Sequence, residues 1–506
     1  MKKDFRQSMT WLHTWSGLVF CWVIYFIFVT GTLGYFDNEI DQWMKPEIEH
    51  TVPESLENDI DLGADFLSKN HADASQWYIS PTNGRDNKQI KVFWRYPKEA
   101  EKEGGNLMIN NNTGEPIQSR ETKGGQVLYK MHYLLHYFPR DVGYKIVAIL
   151  TMLLLVGLVT GVVAHRKIFK DFFSFRPEKG KAAILDLHNL SSIASLPFQL
   201  MITYSGLIFI ASTWMPLIAA GAYQFDSNAL GESFQRSGFG NEIHATGESA
   251  KLVDISSLTP IVTQKWGANS IHFIEIKYPF DESAYIVFNR ITHDATSFRE
   301  KIIFNGVSGL QIPYENKRST AERVKNTFIN LHEGAFAGTS LRWLYFFSGI
   351  LGCIMIASGA IQYAEKRRRK NKDQTLAQRF VDIINSGTII GFPLSIAAYF
   401  IANRLLPLSM DDRAAWEVHC MFATWAATFI YATYRPIKHS WEELSWGAAL
   451  AFLLVPIINA LTTQHNLFNT WKNSDWDRFY FDICCLIAGM IAAYSAKKMR
   501  EKKPYN

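Results

Sequence analysis

His13 and His188 each open a long apolar stretch from its basic-flanked end. Each lies 18 residues before a Ser/Thr-Gly pair, Thr30-Gly31 and Ser205-Gly206. His132, His136 and His332 open two further apolar stretches from the opposite end. Polar side chains in hydrocarbon are expensive, so those that persist there are functional suspects. Imidazoles near both faces of a helix bundle can grip two haems, each bound by one neutral histidine from each of two facing helices in a dry slot. A span of about 20 residues rises roughly 30 Å, and one haem near each face would divide that distance into short electron hops. On this reading His13 pairs with His188 at the inner face, and His136 or His132 pairs with His332 at the outer face.

The choice between His136 and His132 rests on counting. Seven residues separate His136 from Gly143 and six separate His332 from Gly338, which favours His136. The four-residue spacing of His132 and His136 also suits zinc, but no third ligand or general-base Glu accompanies them. His165, at the inner end of the second stretch, is a third inner candidate, or a polar contact to a haem propionate or a partner helix. Gly17 shares a helical face with His13, where a small residue would let a flat macrocycle approach, and Gly31 and Gly34 could serve likewise. Arg140, Lys145, Arg166 and Lys167 are placed to meet propionates or to anchor spans. His50, His71, His244, His272 and His293 read as surface residues, and His419, His439 and His465 have no pairing.

These residues need a membrane bundle to position them. The chain has 506 residues, 48% hydrophobic. Eight stretches are long enough to cross a bilayer: about 17–36, 144–164, 190–214, 341–363, 384–406, 414–434, 443–462 and 479–496. Basic clusters abut the spans at Lys2, Lys3 and Arg6, at Arg166, Lys167 and Lys170, at Lys366 to Lys370, and at Lys497 to Lys503. With eight crossings all four fall on one side, which the positive-inside rule makes the cytoplasm, with both termini there. Their position beside spans argues against nucleic-acid binding. The first apolar run reads as a retained anchor, since no small-residue cleavage site closes it. All five cysteines lie in expected spans, so no disulfide framework holds the segments between them. There is no Cys-x-x-Cys-His and no Gly-rich phosphate loop.

The first 365 residues read as two copies of one plan. In the first, LMINNNTGEPI is followed by YKMHYLLHYF and a span ending near Thr160-Gly161. In the second, KIIFNGVSGLQI is followed by FINLHEGAF and a span ending near Ser358-Gly359. QIKVFWRY and SAYIVFNRI have strand-like content, Asn-Gly and Thr-Gly mark turns, and DLGADFLSKN is a helix. The expected architecture is a polytopic α-helical membrane protein of about eight spans with two outer α+β domains, each a twisted sheet backed by a helix. The parts are a first span (1–36), a first outer domain (37–130), spans two and three with their cytoplasmic loop (131–214), a second outer domain (215–328), span four (329–370) and a separate C-terminal four-span module (375–506).

The run VAHRKIFKDFFSFRPEKGKAAILDLHNLSSIASLPFQLMITYSGL resembles the PepSY-associated transmembrane family. So do WLHTWSGLVFCWVIYFIFVTGTLGYFDNEID, MHYLLHYFPRDVGYKIV and NLHEGAFAGTSLRWLYF. The resemblance covers about residues 5–370. It implies PepSY-type α+β domains on the periplasmic side of a bacterial inner membrane and two b-type haems. It further implies a ferric-siderophore reductase, an oxidoreductase moving electrons across the membrane, with His13, His188, His132, His136 and His332 as haem-ligand candidates and His165 inside the matching signature. The electron donor is either quinol or a cytoplasmic reductase. The partners on this reading are ferric siderophore and membrane lipid. Trp77, Trp94 and Arg95 could line a docking surface, or pack a core. A siderophore or iron permease, and a regulatory PepSY membrane protein without redox chemistry, are the competing readings.

Overall fold

The computed structural model describes all residues except 1–2, 19, 50, 52–53, 84, 86, 98–99, 166–180, 212–242, 293, 298–299, 315–319, 371–374 and 502–506. Arg166, Lys167, Lys170, His50 and His293 therefore lie outside the described residues. The chain divides into two compact units. One is helical: Met1–Pro46, Arg120–Trp214 and Leu331–Asn506. The other contains the strands: Glu47–Ser119 and Met215–Asn330.

In the helical unit, α1 (Lys3–Leu18) and α2 (Cys21–Gly34) form a bent pair. They are followed by α3 (Asp37–Met44), by α5 (Gly124–Leu134) and α6 (Arg140–Ala164), and by α7 (Lys181–Phe209). α4 (Leu56–Asn70) belongs to the other unit, as do α8 (Thr259–Trp266) and most of α9 (Thr320–Glu333). Then come α10 (Thr339–Lys370), α11 (Leu376–Ile389), α12 (Gly391–Leu405), α13 (Arg413–Tyr434), α14 (Ile437–Thr462), α15 (Leu467–Lys472) and α16 (Trp476–Glu501). Among the described residues, six helices are long and apolar enough to cross a membrane, with Leu376–Leu405 counted as one. The number is seven if the bent α1–α2 pair is a single span. These helices support a polytopic membrane protein, with six to seven of the expected eight spans met among the described residues. α13, which carries Arg413, Glu417 and His419 in its first two turns, is not among them.

The C-terminal helices are not an appended module. Phe26 of α2 stacks on Trp425, with centroids 5.6 Å apart, and packs against Phe392 at 4.8 Å. Trp22 Nε1 donates to Asn385 Oδ1 at 2.7 Å, and Tyr25 donates to the Ile389 carbonyl. Trp43, fully buried, donates to Asp482 and carries the Arg404 guanidinium 3.8 Å from its ring centre. One hydrophobic cluster includes residues from both parts.

The strand-containing unit holds one seven-stranded antiparallel sheet in the order β3-β2-β1-β4-β5-β6-β7. Its strands are β1 (Gln76–Ser80), β2 (Ile90–Arg95), β3 (Gly105–Ile109), β4 (Ile271–Lys277), β5 (Tyr285–Arg290), β6 (Lys301–Asn305) and β7 (Gln311–Ile312). The expectation of two sheets is corrected here. β1 of the first segment pairs with β4 of the second, Gln76 opposite Lys277 and Ile79 opposite Ile274. Each half-sheet, β1–β3 and β4–β7, would leave an unpaired edge, and joining the two satisfies both. Alternating residues such as Trp77, Ile79, Ile90, Val92, Ile274, Ile276, Ile286 and Phe288 form one core with Ile60 and Leu67 of α4 and Val262 of α8. Ser55 caps α4 by accepting from Asn58 N.

The repeat is visible at matched turns. Asn110 and Asn305 each accept a hydrogen bond from the N–H of a glycine four residues on, and those glycines, Gly114 and Gly309, have φ of 72° and 68°. Each Asn side chain also caps the N–H groups two and three residues ahead. Glycine adopts this left-handed conformation without steric cost.

Candidate functional site

The helical unit brings four histidines together in two facing pairs. His13 of α1 and His188 of α7 lie with ring centroids 6.4 Å apart at 60°. His132 of α5 and His332 of α9 lie 5.9 Å apart at 41°. Two metal–nitrogen bonds of about 2 Å, plus roughly 1 Å from each nitrogen to its ring centre, put the centroids of two imidazoles bound on opposite sides of a metal about 6 Å apart. Both pairs have that separation.

Each histidine sits in the same kind of seat on another helix. His13 Nδ1 is 2.9 Å from the Gly157 carbonyl, and its ring lies against Gly161, where an added Cβ would be 3.0 Å away. His188 Nδ1 is 2.8 Å from the Met355 carbonyl and its ring lies against Gly359. His132 Nδ1 is 2.9 Å from the Ile27 carbonyl and its ring lies against Gly31. His332 Nδ1 is 2.9 Å from Ser205 Oγ, also bonds the Ile202 backbone, and its ring lies against Gly206. In every case the carbonyl of residue i meets the imidazole and a glycine at i+4 makes room for it.

A buried hydroxyl at i+3 completes the seat. Thr30, Thr160, Ser205 and Ser358 are all nearly inaccessible. Each donates to the carbonyl at its own i−4 position, at 2.8, 2.6, 2.6 and 2.6 Å, and lies within 3.2 Å of the carbonyl at i−3 that serves the histidine. A carbonyl can only accept, so the imidazole proton sits on Nδ1 and the Nε2 lone pair is free. Ser205 has committed its own hydrogen to Met201, so it too accepts from Nδ1. Holding the far nitrogen in this way fixes tautomer and ring orientation, which is what metal-ligating histidines require.

A cavity lies beside His132 and His332. Ile27, Phe28, Leu150, Leu154 and Phe209 give it apolar walls, and Tyr129, Tyr133, Tyr144, Thr203 and Glu333 add polar groups. The donor set of two imidazoles, with an apolar-walled cavity beside them, fits a haem iron. Among the described residues no group of three or more His, Cys, Asp or Glu side chains is disposed to hold another metal ion.

The other candidates lie elsewhere. His136 does not face His332. α5 ends at Leu134, and Leu135 and Tyr137 have φ of 51° and 50°. The four-residue helical relation between His132 and His136 is broken there, and with it the zinc alternative. His136 stacks on Phe422 instead, with centroids 5.7 Å apart at 17°. The two copies differ here: copy one ends its helix with a left-handed Leu135, where copy two uses Gly334 at φ 62°. His165 caps the end of α6 with Nε2 3.4 Å from Asn189 Nδ2, and its buried Nδ1 has no partner among the described residues. Gly17 has nothing near it, whereas Gly34 lies against Tyr129. Trp77 is core, and Trp94 stacks on His71 with centroids 3.7 Å apart. The four Ser/Thr-Gly pairs were visible in the sequence, but nothing there indicated that each serves a histidine from another helix.

The family described as the PepSY-associated TM region matches residues 10–366. No curated protein matches the chain.

Proposed function

The chain belongs to the PepSY-associated TM family, and from that premise we propose that it is a membrane redox protein with two b-type haems. His13 and His188 would hold one, and His132 and His332 the other. The electrons it carries across a bacterial inner membrane would reduce ferric siderophore on the periplasmic side. The observation that supports this most is the seat built four times over from a carbonyl, a hydroxyl and a glycine, holding the histidines in two facing pairs with ring centroids about 6 Å apart.

When bound, haem supplies reversible one-electron chemistry. The carbonyls of Ile27, Gly157, Ile202 and Met355 keep the proton on Nδ1. The glycines let helix and imidazole approach closely. Phe28, Leu150 and Leu154 exclude water from the cavity wall. No acid–base group is required for this task, because hard oxygen chelators bind Fe(II) less tightly than Fe(III) and release follows reduction. Quinol or a cytoplasmic reductase would supply the electrons.

Absorption spectra and a pyridine haemochrome assay on the purified full chain test the reading. Two haems per chain are expected. H13A or H188A should lose one, H132A or H332A the other, and H136A should keep both. A colourless wild-type protein would remove the proposal. Reduction of ferric siderophore, followed with a ferrous trap after electrons are supplied chemically, tests the substrate separately.

A further inference from the structure

α7 carries a polar column that its repeat partner lacks. Ser191, Ser195, Gln199 and Thr203 follow one another at four-residue intervals, with exposures of 1%, 1%, 0% and 3%. Aligned through His13 with His188 and Gly31 with Gly206, the same positions in copy one are Ser16, Phe20, Ile24 and Phe28. A helix that needs only to pack has no reason to bury Gln and Thr where its counterpart buries Ile and Phe. The column begins one turn from His188 and ends one turn before Gly206, the seat of His332.

Two atoms in this column lack partners among the described residues. Gln199 Nε2 donates to the Ser348 carbonyl at 3.2 Å, but its Oε1 accepts from nothing. Thr203 Oγ1 bonds nothing either. The neighbouring hydroxyls of Ser191, Ser195 and Ser205 all bond back to carbonyls of the same helix. Thr203 instead lines the cavity of the His132–His332 pair. Buried polar atoms without protein partners are usually satisfied by internal water. Pro197, inside α7, has no N–H to give the Ile193 carbonyl, which leaves one more acceptor midway along the helix.

We propose that α7 holds an internal water site. A water donates to Gln199 Oε1 and accepts from the Thr203 hydroxyl, as part of a short file from the Ser195 level to the cavity. The file lies on the copy-two side only. It gives a proton a hydrogen-bonded approach to the His132–His332 cavity from within the bundle, at a place where copy one is closed by Phe20, Ile24 and Phe28.

The site is independent of what the cavity binds, so it is tested by reading water rather than colour. A structure of the full chain in lipid nanodiscs, at a resolution that shows other buried waters, should have density within hydrogen-bond distance of both Gln199 Oε1 and Thr203 Oγ1. That density should vanish in T203V and return in T203S. Melting temperature gives a second reading. T203V should melt lower than wild type if it loses a bonded water, whereas removing an unpaired hydroxyl from a dry site would raise it. A dry site in the wild-type structure, or a T203V protein that melts higher, overturns the proposal.

Discussion

His132 rests against Gly31 so closely that a Cβ built on the glycine would lie 2.4 Å from its Nδ1. Gly206, the equivalent residue beneath His332, would bring a Cβ no nearer than 3.2 Å. The two seats follow one design but differ in tolerance. G31A must displace the His132 ring, whereas G206A asks for a shift of a few tenths of an ångström. We expect G31A to empty the His132–His332 site and G206A to retain it with a small spectral shift. Haem stoichiometry and low-temperature absorption bands measure both. Equal loss in the two variants would show that the close approach at Gly31 is not the determinant.

Asp281 anchors the residues ahead of the strands. It accepts from Thr246 N and Oγ1, Gly247 N, and Ser283 N and Oγ. Burial alone would raise its pKa, but the hydrogen bonds from Ser283 and Thr246 outweigh it and hold the carboxyl well below the usual range. A folded pKa below the unfolded one contributes stability that is complete above about pH 4 and is lost as pH falls toward the folded value. D281N should therefore melt lower than wild type at neutral pH, with the gap narrowing under acid. Thermal unfolding from neutral pH downward checks this, and a constant gap would refute it.

Glu417 and Arg413 form an ion pair of 2.6 Å with side chains 0% and 1% exposed. Glu417 also accepts from Asn403 and Thr122, while Arg413 donates to the Glu121 carbonyl. Removing one partner strands a buried charge, so E417A should destabilise by roughly 3–5 kcal/mol. Replacing both with apolar residues of similar volume should cost much less than the single change. Detergent-resolved thermal melts of E417A, R413M and the double variant measure the coupling.

Truncation after Lys370 should not leave a soluble core. Trp22, Tyr25, Phe26 and Trp43 would lose the Asn385, Ile389, Phe392, Trp425, Arg404 and Asp482 partners described above. We expect the shortened chain to aggregate on size-exclusion chromatography, and a monodisperse haem-binding product would contradict this packing.

Much of this arrangement could be read from the residues. The repeat, the matched turns at Gly114 and Gly309, the strands around Val92 and Val287 and the pairing of His13 with His188 all follow from local pattern. Those signals are carried by neighbours in sequence. The choice of His132 depends on where α5 stops, and it stops at a leucine in a conformation that sequence assigns to glycine. The β1–β4 join is invisible for a different reason. Each half has the composition of a complete small sheet, and nothing in either strand states that its edge will meet another. The hydroxyl and carbonyl of each histidine seat are contributed by a different helix, so they emerge only when the helices are packed.

The β1–β4 pairing also constrains how such a chain could arise. An antiparallel pair of equivalent strands maps onto itself under a two-fold rotation, so a single-copy ancestor could have built the same central join between two identical subunits. Duplication and fusion would then preserve the architecture while freeing the halves to diverge. The substitution of Gln199 and Thr203 for Ile24 and Phe28 is a divergence that a symmetric pair of subunits could never have made on one side alone.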